Sequence, residues 1–196
     1  MIKISECKNE KVTAMNEILK VIAERYSCRD FSPEALSKEH VDALVNAALA
    51  APSAMNRQPW HIIAVTDKAI IEEMDACAMA HIKEQNAEWY QRMADRGGKI
   101  FYDAPCIIFI ASDGSEYAAC DYGIVSQNVA LAAHALGLGS VICGMARIPL
   151  SSEKGADFIS RLKFPEGYVF GMSVCVGKVK SGKAPHELDY SKVTYI

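Results

Sequence analysis

Apolar residues recur at helical spacing between Thr13 and Glu24, where Met15, Ile18, Leu19 and Ile22 fall on one face. Ser37 is placed to cap a helix that runs through Ala50, and Pro52 forces its end. His61 to Thr66 reads as a strand, after which Asp67 caps a helix running into the polar 80s and breaking at Gly97-Gly98. Pro105 precedes a buried strand, Cys106 to Ala111. A long helix from Glu116 to Leu136 stops at Gly137, the position just past a helix end that glycine favours. Its Ala118, Ala119, Gly123, Ser126, Ala130 and Ala133 are small enough for another helix to approach closely. Ser140 to Met145 and Tyr168 to Val176 supply two further strands, with a short helix at Glu153 to Leu162 between them. Helices and strands alternate unevenly, which predicts an α+β fold with a mixed sheet flanked by helices. No repeat or linker divides the chain, so residues 1–196 are expected to form one domain. The last stretch, Lys178 to Ile196, is too short and polar to stand alone, although Val193 to Ile196 could add an edge strand elsewhere.

Composition narrows the function classes. With 51% hydrophobic residues a sizeable core can form, and a net charge of -3 with scattered Lys and Arg leaves no footprint for nucleic acid or an anionic membrane. Met1 to Val12 is polar and has no apolar run of the secretory kind. Val129 to Ala146 carries no Asp, Glu, Lys or Arg and approaches a membrane-spanning length. Its alanine content and the break at Gly137 and Gly139 favour a buried helix, a turn and a buried strand. The seven cysteines stand singly, as expected of reduced thiols in a cytoplasmic protein. The five histidines lack metal-ligand spacing, and no metal is expected.

Two glycine patterns are near misses. Gly177 to Lys183 matches a phosphate-binding P-loop up to its last position, but Ala184 has no hydroxyl for Mg²⁺ and Pro185 leaves no room for the helix that must follow. Gly137 and Gly139 precede a strand, whereas a dinucleotide fingerprint follows one. No nucleophile elbow is present and spacing alone suggests no catalytic triad, so any chemistry is expected to be carried by a cofactor.

Two segments carry the positive argument. In Arg25-Tyr26-Ser27-Cys28-Arg29, an extended backbone would put Arg25, Ser27 and Arg29 on one side, as two guanidinium groups and a hydroxyl around an anion or a carbonyl-rich ring edge. The alternative is an Arg25 that serves the helix end and a solvated Arg29. From Ala51 to Trp60, two prolines flank an Asn56-Arg57-Gln58 core whose amides both donate and accept, as reading a pyrimidine-like edge requires. The alternative there is a turn in which Asn56 satisfies its own backbone.

Taken together and in this order, the two segments resemble the nitroreductase family of FMN enzymes. The resemblance continues through Asp121 and Gly123, Gln127 and Asn128, the run Ala135 to Ser140, and the basic tail at Lys183 to His186, so nearly the whole chain is covered. It implies that Arg25, Tyr26, Ser27 and Arg29 bind FMN, with Arg25 at the phosphate and Arg29 at the pyrimidine edge. It further implies that Pro52, Ser53, Ala54, Asn56 and Gln58 reach the flavin of the other subunit. Ile142, Cys143 and Gly144 match the segment beside N5, with Gly144 offering its N–H and Cys143 only its backbone. Lys183 matches a phosphate-binding basic residue, and His186 stands where the family often has arginine. The implied architecture is an intertwined homodimer with exchanged C-terminal extensions.

The implied activity is ping-pong transfer of a hydride from NAD(P)H, through FMN, to a small electron-poor acceptor such as a nitroaromatic, a quinone or an enone-like compound. No catalytic side chain is expected beyond the flavin itself. Two other readings share the same motifs. One is a specialised dehalogenase or dehydrogenase with a dedicated lid, for which Glu84, Glu88, Trp89 and Arg92 are the residues to inspect. The other is a flavin storage or sensing protein without efficient turnover.

Overall fold

The structure is a computed structural model that describes residues 10–196, with side chains from residue 17 onward. Cys7, most of the Met1 to Val12 stretch and the Met15 side chain lie outside the described residues.

Helix α1 (Glu10–Glu24) leads into an extended segment and then α2 (Lys38–Leu49), whose first turn is capped by Ser37 accepting the His40 N–H. Strand β1 (Trp60–Val65) follows, then α3 (Lys68–Gln85), capped by Asp67, which accepts the N–H groups of Ala69 and Ile70. The expected single helix through the 80s is two: Asn86 adopts an extended backbone, ends α3 and caps α4 (Ala87–Ala94) by accepting from the Trp89 N–H. After β2 (Cys106–Ser112), α5 (Ala118–Ala135) ends at Gly137, which takes the left-handed backbone (φ 73°) required there. Strand β3 (Gly139–Cys143), helices α6 (Arg147–Leu150) and α7 (Gly155–Arg161), and β4 (Val169–Gly177) complete the order. The charge-free stretch 129–146 is thus the end of α5, a turn and β3, as its pattern predicts. Among the described residues no helix is long and apolar enough to cross a membrane.

The sheet order is β1-β2-β4-β3, and all three pairings are antiparallel. The parallel component of the expected mixed sheet is confined to the isolated bridge between Ser27 and Ser140. Every residue of β2 is buried, so its alternating side chains feed two cores. Ile107 and Phe109 join Met74, Ala78 and Ile82 of α3 and Phe158 of α7. Cys106, Ile108 and Ile110 join Leu44 and Ala48 of α2 with Val125, Val129 and Ala133 of α5. The small residues of α5 allow this approach, and the Asn128 side chain donates to the Ala47 carbonyl (3.1 Å) to tie α5 to α2.

Residues beyond Val179 are exposed throughout, including Leu188, Tyr190, Val193 and Tyr195. The edge strand expected at Val193–Ile196 does not form within the chain; a short helical turn, Tyr190–Lys192, precedes it instead. A strand needs a ladder partner, and among the described residues none pairs with this run.

Candidate functional site

The segment after α1 is pinned on both sides. Cys28 donates its N–H to the Ser140 carbonyl (2.9 Å) at the start of β3. Ser32 N–H donates to Lys178 O (2.9 Å) and Lys180 N–H to Asp30 O (3.0 Å), which holds the other side to the chain leaving β4. Cys28 and Phe31 are inward anchors, 1% and 2% exposed. Gly139 permits this closeness: a Cβ there would lie 2.7 Å from Val179 Cγ2 and 2.9 Å from Cys28 Cβ.

With Cys28 turned inward, Ser27 and Arg29 line a cavity of about 390 Å³ together with Tyr26, Arg96, Tyr102 and Lys183. Residues more than 150 positions apart therefore converge there. Arg25 does not share that cavity. It lines a smaller hollow of about 140 Å³ with Gly137 to Ser140, and Tyr26 is a wall of both. The reason is local: Arg25 N–H still donates to Val21 O (3.0 Å), so Arg25 belongs to the last turn of α1 and strand alternation begins only after it. None of Arg25, Arg29, Arg96 and Lys183 is in a salt bridge among the described residues, whereas Asp30 is engaged by Ser181 Oγ (2.5 Å) and Lys180 (3.9 Å). Net positive charge is left facing the cavities.

The β3 end adds backbone. Ile142 and Gly144 are exposed, while Cys143 between them is buried and donates its thiol to the Ile100 carbonyl (3.5 Å). Burial among apolar neighbours raises the pKa of the adjacent Cys175 thiol well above the ordinary range. Cys143 itself is 3% exposed with its sulfur turned to the Ile100 carbonyl, so this stretch offers backbone, not sulfur, on the exposed side.

The second expected set stands apart within one chain. Pro52, Ser53 and Ala54 border a different hollow, of about 240 Å³, against Tyr117, Asp121 and Ile124 of α5. Met55, Asn56 and Gln58 all adopt left-handed backbone (φ 52°, 53° and 49°), which costs about 1 kcal/mol for each non-glycine residue. The loop is held by Ser53 Oγ accepting Gln58 N–H (2.8 Å) and the buried Asp121 accepting Ala54 N–H (3.4 Å). Gln58 Nε2 donates to Asn56 Oδ1 (3.2 Å), and both side chains are exposed. His186 is exposed in the tail and does not line the cationic cavity.

Sequence reasoning missed Arg96, Tyr102 and Asp75. Arg96 follows α4 and Tyr102 lies in the turn before β2, and no local motif marks either. Burial raises the Tyr102 pKa, and the nearby Arg29 guanidinium opposes that shift. Asp75 is 4% exposed on α3; burial raises its pKa to about 6, against the N–H groups of Ile100 and Phe101 that it accepts. The signal was present as one acid on the otherwise apolar face of Ile71, Met74, Ala78 and Ile82. The lid candidates lie elsewhere: Glu88 pairs with Arg92 (3.3 Å) on α4, Trp89 packs on the core, and Glu84 borders a groove with His81 and Ser152. Among the described residues no group of His, Cys, Asp and Glu is arranged to hold a metal.

An arrangement of this kind suits a planar ring with carbonyl acceptors joined to a phosphate: cations and a hydroxyl at one end, exposed backbone at the other. Comparison with known proteins agrees. Residues 22–178 match the model of the nitroreductase family. A nitroreductase with bound FMN from Desulfitobacterium hafniense superposes with a TM-score of 0.89 at 45% identity, covering 93% of this chain and 99% of that one. A protein of Archaeoglobus fulgidus, whose name joins NADH dehydrogenase to NAD(P)H nitroreductase, is 30% identical over 181 residues, 89% of this chain and 92% of its own. An FMN reductase [NAD(P)H] of Bacillus subtilis is 26% identical over 194 residues, 93% of this chain and 76% of its own.

Proposed function

The chain belongs to the nitroreductase family, and we propose that, as an FMN-dependent oxidoreductase using NAD(P)H, it reduces a small electron-poor acceptor by a ping-pong mechanism. The observation that carries this reading is the convergence of Ser27, Arg29 and Lys183 on one cavity from the two ends of the chain. The residues present fit FMN. Ser27 and Lys183 would hold its phosphate, with Arg25 adding charge from the adjoining hollow beyond Tyr26. Arg29 would hold its pyrimidine edge, and the exposed backbone at Ile142 and Gly144 would border the ring. When bound, FMN supplies reversible two-electron, hydride-carrying chemistry.

The chain's own part is positioning and electrostatics. Reduction puts negative charge on the pyrimidine edge, and a fixed cation such as Arg29 stabilises the reduced form. Segment 27–32, bonded to both β3 and the chain after β4, holds that cation with little reorganisation. Donor and acceptor would occupy the same open side in turn, which is the condition for ping-pong kinetics.

A homodimer is part of the proposal. The free edge of β1, the exposed Ile18, Leu19 and Ile22 of α1, and the apolar residues of the exposed tail all support an interface that a second copy would cover. The strained 52–58 loop would then serve the partner's flavin, and the tails would be exchanged.

The deciding test is the visible spectrum of the purified protein, before and after anaerobic addition of NADPH or NADH. A flavin spectrum bleached by either nucleotide, with parallel double-reciprocal plots against a quinone or nitroaromatic, is the expected result. A protein that neither carries nor takes up FMN overturns the reading.

A further inference from the structure

The turn Ile100–Asp103, between α4 and β2, is more tightly fixed than its loop position requires. Tyr102 and Asp103 are consecutive non-glycine residues in the left-handed region (φ 57° and 62°), a conformation that persists only where surroundings enforce it. Three restraints do so. One oxygen of Asp75 accepts the N–H groups of both Ile100 (2.7 Å) and Phe101 (3.0 Å). The Cys143 thiol donates to the Ile100 carbonyl, linking the turn to the end of β3. Lys99 and Asp103 form an ion pair across the turn. Ile100 and Phe101 are wholly buried, so the turn is clamped from the core side.

Its only partly exposed side chain at the site is Tyr102, which stands in the wall of the cationic cavity beside Arg29. Arg29 and Tyr102 line the same space, the guanidinium from the 27–32 segment and the phenol from the turn. Arginine can only donate, so in any contact between these two neighbours in the cavity wall the phenol oxygen is the acceptor. A carboxylate on the apolar face of α3 costs stability that its two N–H bonds offset only in part, and what it secures in return is the turn. Here it fixes the position of Tyr102.

We propose that Asp75 and Tyr102 are a positioning pair for the flavin site: Asp75 fixes the turn, and the Tyr102 hydroxyl carried on it orients the Arg29 guanidinium toward the pyrimidine edge. The inference rests on the reading of the cavity as an FMN site. Neither residue exchanges protons or electrons with substrate in this role.

The test compares FMN dissociation constants, by flavin fluorescence, and flavin midpoint potentials of the holoproteins. Tyr102→Phe removes one oxygen and leaves the ring, and is expected to weaken FMN binding about fivefold to tenfold and lower the potential. Asp75→Leu should do the same from beneath the turn, and Asp75→Asn, which keeps an acceptor oxygen, should restore values near those of the wild type. The Asp75→Leu/Tyr102→Phe double variant should be no worse than the stronger single variant, because both act through one contact. The proposal is overturned if Tyr102→Phe changes neither quantity, or if Asp75→Leu lowers only the melting temperature. If Asp75→Leu does not fold, Tyr102→Phe decides alone. Failure of the wild type to bind FMN would instead remove the functional reading itself.

Discussion

The two segments that carry the sequence argument behave in opposite ways. Arg25–Phe31 is stitched by backbone hydrogen bonds to β3 and to the chain beyond β4, with Cys28 and Phe31 driven into the core. Pro52–Gln58 turns outward, with Met55 76% exposed and three left-handed residues in a row of four. The first completes its cavity within one chain. The second keeps strain and exposed amides that, among the described residues, bond only to each other, and the tail is likewise outward, with Tyr195 89% exposed. Inward anchoring marks what the chain builds for itself; outward strain marks what it would build for a partner.

The largest effect is expected from the outward region. Deleting residues 187–196 removes Leu188, Tyr190, Val193 and Tyr195 from the proposed interface. It should convert a dimer to monomer or aggregate, and weaken FMN retention at least tenfold by an order-of-magnitude estimate. Light scattering coupled to size exclusion reads the first, and flavin content the second. A truncated protein that remains a dimer with full flavin would break the contrast.

On the inward side, Gly139→Val places a branched side chain where even a Cβ would meet Val179 at 2.7 Å and Cys28 at 2.9 Å. Urea unfolding should show a loss of about 3 kcal/mol, with segment 27–31 displaced and FMN binding lost together. Normal stability would mean that the segment is not clamped as described.

Asp75 gives the same region a pH signature. Burial raises its folded pKa to about 6 from the ordinary aspartate value of 3.8, with the Phe101 and Ile100 N–H groups and Lys99 opposing and Asp103 adding to the shift. The folded state therefore prefers the protonated acid. The associated stability is fully present below the unfolded pKa and is lost as pH rises through about 6. About 2 pKa units correspond to about 3 kcal/mol at most. Urea midpoints at pH 4 and pH 7 should show Asp75→Asn gaining on the wild type at the higher pH. Parallel behaviour at both values would contradict the burial.

Local signals made much of the fold legible. Ser37, Asp67 and Gly137 mark helix boundaries because capping is a contact between residues two or three apart. β2 reads as buried because both of its faces need apolar residues. Failures occur where a distant contact decides. Asn86 interrupts a helix that periodicity alone would continue, and Arg25 remains helical by one hydrogen bond. Asp75 reaches the turn that carries Tyr102 only through a fold that brings α3, the 100–103 turn and β3 together.

Within the cavity, Arg29→Ala removes a charge-assisted contact worth about 2 kcal/mol. FMN should bind about thirtyfold more weakly by that figure, and the flavin should become harder to reduce. Unchanged affinity and potential would return Arg29 to the role of a solvated surface cation.

The smallest effect is the most diagnostic of the contrast. Asn56→Ala loses one amide and its bond with Gln58, and alanine tolerates φ 53° less well than asparagine. About 1 kcal/mol, or fivefold in FMN affinity, is the expected cost. The informative experiment mixes this subunit with one carrying Arg25→Ala. If the 52–58 loop serves the partner's flavin, the heterodimer holds one site bearing both changes and one bearing neither. Its FMN titration should then be biphasic, with half the sites at wild-type affinity. If loop and cationic segment act on the same flavin within one chain, every site in the heterodimer carries a single change and no wild-type phase appears. The two geometries thus differ in the form of the curve, which survives error in either single-variant constant.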